Sequence, residues 1–206
     1  MEKQDDDSME QKIRDAAERL FLNKGFALTS TTEIAKAAGC NQALVHYYFR
    51  TKDRLFEAVF AEKVKLFVEE ILNISSEPIT FKEKVRRKIV SHYDLLLENP
   101  QMPFLIINEL ITNPERLNAM KTIVAPNIGM VFAQFERELK EEIRKGTIRP
   151  MSAFDFVVTM LSLNIMPFLG IPIMKSALHL DDAGVRDLLL KRREENIEIV
   201  LRNLGP

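Results

Sequence analysis

The chain has 206 residues but little cysteine and little glycine, and each shortage excludes a class of structure. Cys40 is the single cysteine, so neither an intramolecular disulfide nor a cysteine-based zinc site can form. Glycine occurs only seven times, and no alternating pattern of apolar and polar residues, which would indicate a β-strand, runs for long. The sequence therefore predicts an all-α protein.

The sequence also lacks the usual signatures of catalysis and metal binding. His92 and His179 lie far apart, and neither belongs to a His-x-x-x-His or Glu-x-x-His arrangement. A Gly-rich phosphate loop and a nucleophile elbow are missing as well. Glu109, beside Asn108, is the one carboxylate that an apolar helix would bury, and a single carboxylate is not a mechanism. We therefore expect no enzymatic activity, no metal and no cofactor, with an all-helical enzyme as the alternative.

Two segments bear on the location of the protein. The acidic start, residues 1–7, has no apolar stretch of the kind found in a signal peptide, which favours a cytoplasmic location. Residues 156–174 carry no charge and are about long enough to cross a bilayer. They are interrupted by Pro167, Gly170 and Pro172. We expect a buried helix that ends in a kinked loop, and no membrane partner.

The net charge of −1 conceals an uneven distribution of charged residues. Residues 11–60 hold eight basic and five acidic side chains, which gives this segment a net charge of +3. A mildly basic segment in a nearly neutral chain is compatible with binding to nucleic acid. Composition alone does not distinguish this use from an ordinary solvated surface.

Capping residues and apolar periodicity together predict about nine helices. Three short helices come first, and a long fourth one follows them. The first four predicted helices run from Ser8 to just before Gly25, from Ser30 to Ala38, from the cap Asn41 to about Phe49 and from the cap Thr51 to about Leu72. A loop is predicted over 73–79. The remaining helices are predicted over about 80–98, 103–112, 115–145 (with a kink at Pro126), 152–168 and 182–204.

The second and third helices have the plan of a helix-turn-helix motif over residues 30–49, because a tight turn containing Gly39 joins two short helices. In this motif the N-terminal residues of the second helix face base edges in DNA. Gln42 can pair with adenine through two hydrogen bonds, whereas Ala43 and Leu44 can contact a thymine methyl group. The residues expected to lock the two helices together are Ile34, Ala35, Ala38, Val45 and Phe49.

Residues 12–60 carry a dense series of further motif residues. They are Ala16–Phe26, Thr29-Ser30, Ile34–Gly39, Tyr47–Phe49, Lys52-Asp53 and Leu55-Phe56. Together they resemble the N-terminal domain of the TetR family; beyond residue 60 the resemblance is one of general layout. Ala43 stands where that family often has glycine, and His46 where it often has tyrosine. Alanine leaves room near a base, and histidine keeps a hydrogen-bond donor for phosphate.

The resemblance implies both a domain organisation and a function. A helix-turn-helix DNA-binding domain is expected over residues 7–67, and a helical effector-binding and dimerisation domain over 68–206. The implied function is that of a DNA-binding transcriptional regulator, a repressor released from DNA by a small molecule. An adaptor that kept the fold and lost DNA binding is the other alternative. The residues expected to hold DNA phosphates are Thr31, Thr32, His46, Tyr47, Tyr48 and Lys52.

The last two predicted helices, about 152–168 and 182–204, are expected to form a homodimer. The apolar run over 156–169 needs burial that one small domain does not offer, and the last helix carries apolar side chains at helical spacing. Two helices from each subunit would build a four-helix interface with two-fold symmetry, so the DNA site is expected to be an inverted repeat. The apolar positions of the last helix are Val185, Leu188, Leu189, Ile197, Val200, Leu201 and Leu204.

An effector cavity is implied by the resemblance within the helices of residues 80–168. Few charges lie there, so we expect an apolar or amphipathic ligand that carries little charge. A ligand that moves the helix starting at Lys52 would change the spacing of the two DNA-binding domains in the dimer. The candidate lining residues are bulky or polar groups at mid-helix positions, namely Tyr93, Phe104, Asn108, Met130, Phe154 and Met160.

Overall fold

The computed structural model describes the backbone of residues 2–205, and their side chains except at 2–8, 120, 123 and 124. Within these residues α-helices are the regular secondary structure present, as predicted for an all-α protein. They are α1 (Glu2–Lys24), α2 (Thr31–Ala38), α3 (Gln42–Phe49), α4 (Lys52–Ser76), α5 (Phe81–Glu98), α6 (Met102–Thr112), α7 (Pro114–Lys145), α8 (Ala153–Ala177) and α9 (Asp182–Asn203).

Local capping sets the ends of α2 and α3, as predicted. The Ser30 hydroxyl accepts a hydrogen bond from the Glu33 N–H group (3.2 Å), and the Ser30 N–H group donates to the Glu33 carboxylate (3.1 Å), which completes a capping box. Gly39 ends α2 with a φ of 73°, a left-handed conformation that glycine adopts without strain. Asn41 Oδ1 accepts from the Leu44 N–H group (2.9 Å) and opens α3.

Two predicted helix ends are wrong. α1 begins at Glu2 rather than at Ser8, and the side chain of Ser8 lies outside the described residues. α4 continues to Ser76, into the segment predicted as a loop. Ile71 and Ile74 are both buried, so the apolar face of α4 extends by one more turn than its expected end allowed.

α8 continues through two prolines to Ala177, so the predicted kinked loop after residue 168 is also wrong. Proline lacks an N–H group, which leaves the carbonyl four residues earlier without its helical partner. For Pro167 that carbonyl belongs to Leu163, and Asn196 of α9 donates to it from Nδ2 at 2.8 Å. A hydrogen bond from another helix replaces the missing one, and the helix continues.

The helices form two compact units. The first unit comprises the residues up to Lys65 together with Leu105–Ala125. The second unit comprises Leu66–Phe104 and the residues from Pro126 onward. The beginning of α7 and most of α6 therefore belong with the N-terminal helices, although they come after the domain boundary that we expect at residues 67 and 68.

Aromatic rings and small apolar side chains form the core of the first unit. The buried ring of Phe21 packs against those of Phe26 and Phe56, with ring centres 5.6 and 5.3 Å apart. α1 packs on α2 and α3, which also contact each other. Of the residues predicted to lock the helix-turn-helix, Ala38 is half-buried, and the fully buried ones are Ile34, Ala35, Val45 and Phe49.

The second unit is built by α5, α8 and α9 around a polar centre. Asn164 and Asn196 are fully buried, and Asn196 Nδ2 donates to Asn164 Oδ1 at 3.3 Å. Asn164 Nδ2 donates to the Ile89 carbonyl (3.3 Å) and lies 3.2 Å from His92 Nδ1. Burial lowers the pKa of His92 to about 4, so the ring is neutral at pH 7 and Nδ1 accepts from Asn164. Two apolar clusters complete the unit, one around Ile89, Phe135, Phe156 and Ile197 and one of Tyr93, Leu96, Phe168 and Leu189.

Candidate nucleic-acid interface

The third helix, α3, has one buried and one exposed face. Val45 and Phe49 are buried in the core of the first unit. The opposite face is open to solvent and carries the side chains that we predict to contact DNA. Of these predicted contact residues on α3, the exposed ones are Gln42, Ala43, His46 and Tyr47, and the half-buried ones are Leu44 and Tyr48.

The side chain of Gln42 is held by the two threonines at the start of α2. Its Nε2 donates to Thr31 Oγ1 (2.9 Å), and its Oε1 accepts from Thr32 Oγ1 (3.1 Å). A glutamine amide carries two N–H donors and two acceptor lone pairs, so each end keeps the capacity for one further hydrogen bond. The structure therefore brings three of the predicted DNA-contacting residues together and orients the amide that is predicted to read a base.

Lys52 holds the turn that precedes α2. Its Nζ donates to the carbonyls of Phe26 and Thr29, both at 2.9 Å, and lies 4.1 Å from the centre of the Phe26 ring. An ammonium group has three donors, so one is left for a DNA phosphate. The sequence led us to expect only the phosphate contact, whereas the structure gives Lys52 an additional part in fixing this turn.

An ion pair lies at the outer side of the capping box. Lys24 Nζ lies 2.6 Å from Glu33 Oε1. The hydrogen bond from Lys24, together with those from Ser30, lowers the pKa of Glu33 to about 2. The carboxylate is therefore ionised at neutral pH and stays available to accept from the Ser30 N–H group that opens α2.

Arg50 is a basic residue of this surface to which the sequence gave no role. It is exposed, directly follows α3 and has a φ of 64°, which residues other than glycine rarely adopt. Its N–H group donates to the His46 carbonyl (3.0 Å) and ends the helix. Thr51 Oγ1 then accepts from the Arg54 N–H group (3.1 Å), so the predicted cap of α4 is present. Arg50 thus places an exposed cation between α3 and α4.

The residues predicted to line an effector cavity are not brought together around one cavity. Tyr93 is fully buried, and its ring centre lies 5.1 Å from that of Phe168. Met160 packs against the other apolar cluster of the second unit. The remaining predicted residues are exposed: Asn108, which belongs to the first unit, and Phe104, Met130 and Phe154.

An apolar cavity of about 990 Å³ lies along α8 and α9 in the second unit. Its wall includes Val158, Met166, Leu169 and Leu188, and Arg192 is the one charged side chain among the described lining residues. None of the predicted effector residues whose side chains are described lines it. Two of its lining residues, Val158 and Met166, are themselves exposed.

The capped pair α2–α3, with its buried inner face and exposed outer face, defines a helix-turn-helix protein. Residues 13–59 match the family model described as bacterial regulatory proteins of the tetR family. The N-terminal segment that contains α2 and α3 is therefore similar to this family of bacterial regulators.

Two curated relatives are similar to less than half of this chain. The fatty acid metabolism regulator protein of Bacillus subtilis (strain 168) is 32% identical over 85 residues, which are 41% of this chain and 44% of that protein. The HTH-type transcriptional regulator AcrR of Shigella flexneri is 40% identical over 58 residues, 28% of this chain and 27% of that protein. The chain thus spans less than half of the length of these relatives.

Solved structures are similar over nearly the whole chain. FadR from Bacillus subtilis, solved in complex with stearoyl-CoA, has a TM-score of 0.72 at 20% identity, with 95% of this chain and 99% of that one covered. A regulator of the TetR/AcrR family from Thermobifida fusca has a TM-score of 0.67 at 20% identity, with coverages of 96% and 98%. At these identities the similarity establishes the fold, an N-terminal helix-turn-helix followed by a helical domain.

Proposed function

We propose that the chain is a homodimeric transcriptional repressor that binds double-stranded DNA at an inverted repeat and is released by a small apolar or amphipathic effector. The observation that carries the proposal is the exposed N-terminal face of α3, where Gln42 is oriented by Thr31 and Thr32. A side chain held in place before binding loses little conformational freedom on contact with a base. Such a surface suits the reading of a DNA groove.

The proposed DNA contacts fall into two groups. Gln42, Ala43 and Leu44 lie at the N-terminal end of α3 and contact base edges. Phosphate contacts fix the register of the motif on the duplex. The phosphate-binding residues are Thr31, Thr32, His46, Tyr47, Tyr48 and Lys52, to which the structure leads us to add Arg50.

The proposed dimer is supported by an apolar stripe on α8. Its four side chains lie along one side of the helix, and successive ones are four, eight and seven residues apart. They are between 44% and 74% exposed. An apolar surface of this length on a lone chain indicates an interaction site. The cavity beside it, along α9, extends the same surface. The stripe consists of Phe154, Val158, Met166 and Ile173.

A lipid bilayer is the other surface that such a stripe suits. α8 is the one helix among the described residues that is long and apolar enough to cross a membrane, and only 17% of its most apolar window is buried in the chain. However, its inner side carries Asn164, which is fully buried and hydrogen-bonded to α5 and α9. A helix packed in this way belongs to a bundle, so we assign its outer side to the same helix of a second copy.

The test of DNA binding is selection of duplexes from a randomised library by the full chain. We expect enrichment of an inverted repeat whose half-sites lie about one DNA turn, ~34 Å, apart. Affinity for the enriched duplex is then measured at increasing salt concentration, where it should fall steeply because phosphate contacts release counterions. A library that stays random after selection contradicts the proposal.

The test of effector control uses a thermal-shift screen. Stearoyl-CoA is the first probe because it is the compound bound in the FadR structure, although the similarity to that protein is one of fold alone. A compound that binds only the folded state raises Tm. We expect such a compound also to weaken binding to the selected duplex. A compound that raises Tm and leaves DNA affinity unchanged at saturation argues against a switch.

A further inference from the structure

Arg116 is a buried cation in the first unit, and the sequence gave no indication of its role. It lies in the first turn of α7, and its side chain is only 2% exposed. An unpaired charge at such a site is strongly unfavourable, so the function of the residue depends on the groups that surround it.

Two carboxylates from two other helices neutralise the Arg116 guanidinium. One amino group pairs with the buried Glu109 carboxylate of α6, and the other lies 2.5 Å from Asp53 Oδ1 in the first turn of α4. Glu109 is only seven residues away in the chain and neutralises the charge locally. Asp53 is 63 residues away, so this pair is the one that joins α4 to α7.

The flat face of the guanidinium lies on an aromatic ring. Arg116 Cζ lies 3.6 Å from the centre of the Phe26 ring and 4.9 Å from that of Phe56. Phe26 is in the turn between α1 and α2, the same turn whose carbonyls Lys52 holds. Arg116 therefore contacts the turn that enters the helix-turn-helix and the helix that leaves it.

We propose that Arg116 is a positioning residue for DNA binding, which fixes both ends of the α2–α3 motif and so sets the orientation of α3. This inference rests on the proposed DNA-binding function. Buried ion pairs often add little net stability, whereas the planar guanidinium fork, with its ring contacts, restricts orientation closely. A binding surface displaced by a fraction of an ångström loses complementarity.

The test variant is Asp53→Asn, which keeps the side-chain size and leaves Arg116 neutralised by Glu109. We expect its affinity for a duplex selected by the wild-type protein to fall about tenfold, with Tm and dimerisation nearly unchanged because Asp53 is 57% exposed. Affinity for an unrelated duplex should change little. Asp53→Glu should restore specific binding. Glu57→Gln is the matched control, because it removes the same charge one turn later in α4.

A purely electrostatic effect predicts the opposite result. Removal of a negative charge near DNA strengthens binding to any duplex, and does so for both Asp53→Asn and Glu57→Gln. Specific binding by Asp53→Asn that equals or exceeds that of the wild type therefore overturns the inference. If the wild-type protein selects no duplex at all, the proposed DNA-binding function fails, and the inference on Arg116 fails with it. Equal specific binding by wild type and Asp53→Asn contradicts only the inference on Arg116.

A second variant covers the case in which Asp53→Asn does not fold. The double substitution Glu109→Leu with Arg116→Met replaces the buried ion pair by apolar side chains of similar size, which is often neutral for stability, and leaves the exposed Asp53 in place. Native Tm with reduced specific affinity supports the inference. Native Tm with unchanged specific affinity overturns it.

Discussion

The two compact units distribute polar and apolar side chains in opposite ways. The first unit has an apolar core around Phe21 and a polar outer face on α3. The second unit has fully buried asparagines, Asn164 and Asn196, at its centre. Its α8 helix exposes 64% of Phe154 and 74% of Ile173. The first arrangement suits a free surface that meets a polar partner, whereas the second leaves an apolar surface to be covered.

The two units therefore suit partners of different polarity. A polar surface with fixed donors can remain in water and can exchange that water for a polyanion such as DNA. An apolar helix face remains exposed only at a cost, which burial against another apolar surface removes.

The largest effect is expected from a charge placed on the apolar face of α8. Met166 is 65% exposed, and Met166→Asp should prevent its burial against a second copy, since a carboxylate loses hydration there. We expect a monomer in light scattering, with at least about a hundredfold loss of affinity for the selected duplex because the half-sites are no longer bound together. Ser176→Asp, at an exposed polar position of α8, is the control. A dimeric Met166→Asp protein would exclude this face as the interface.

The polar centre of the second unit should be the next most sensitive site. Asn196→Leu keeps the side-chain size but leaves the carbonyl of Leu163 and Oδ1 of Asn164 without this donor. We expect a loss of about 2–4 kcal/mol in the free energy of unfolding measured with urea.

A second substitution separates the Leu163 carbonyl from the other effects of Asn196→Leu. Pro167→Ala restores a helical N–H donor for that carbonyl, so it should recover part of the loss when combined with Asn196→Leu. Glu195→Leu, at the exposed neighbouring position, should change stability by no more than about 0.5 kcal/mol. If Asn196→Leu lowers the free energy of unfolding by the same amount with and without Pro167→Ala, the hydrogen bond to the Leu163 carbonyl does not account for the stabilising effect of Asn196.

The buried His92 should make stability depend on pH. Burial lowers its pKa to about 4, from 6.5, so between these values the unfolded chain binds a proton that the folded chain does not. The contribution of His92 to the free energy of unfolding is complete above pH 6.5. It falls as the pH drops towards 4, by at most about 3 kcal/mol. His92→Gln should remove this part of the pH dependence, whereas His179→Gln, at an exposed site, should leave it. If the free energy of unfolding depends on pH in the same way for wild type and His92→Gln, His92 is not the source of this pH dependence.

The smallest effect is expected on the polar surface of the first unit. Gln42→Ala should change the base preference of the selected duplex at one position in each half-site, with a loss of about 1–3 kcal/mol for the preferred base. Stability should hardly change, because both hydrogen bonds of Gln42 are exposed. Gln101→Ala, an exposed glutamine of the second unit, is the control. Repeated selection that returns the wild-type preference would remove Gln42 from the base-reading residues.

The parts of the fold that were predictable from the sequence are those that neighbouring residues determine. The capping box of Ser30 and Glu33 and the glycine at position 39 each act within one helical turn, so the bounds of α2 and α3 were predictable. The family resemblance also lies in this segment. The exposed face of α3 follows directly from these bounds and from the spacing of the buried Val45 and Phe49.

The parts that were not predictable depend on contacts between distant residues. The donor that allows α8 to continue past Pro167 is 33 residues away from its acceptor in the chain. The aspartate that pairs with Arg116 is 63 residues away. For the same reason, mid-helix position alone did not identify a cavity. The six candidate effector residues remain a prediction, and the five of them in the second unit do not line the apolar cavity of that unit.

The carbonyl that Pro167 leaves free also determines the register of α8 against α9. Apolar side chains tolerate sliding of one helix along another, because one leucine contact replaces another at little cost. The hydrogen bond from Asn196 to the Leu163 carbonyl does not tolerate such sliding, because Pro167 leaves only this one carbonyl free. A shift of α9 by one turn would move Asn196 by about 5.4 Å and leave both the amide and the Leu163 carbonyl buried without each other. α8 and α9 therefore pair in one register, and a surface that these two helices share has one fixed shape.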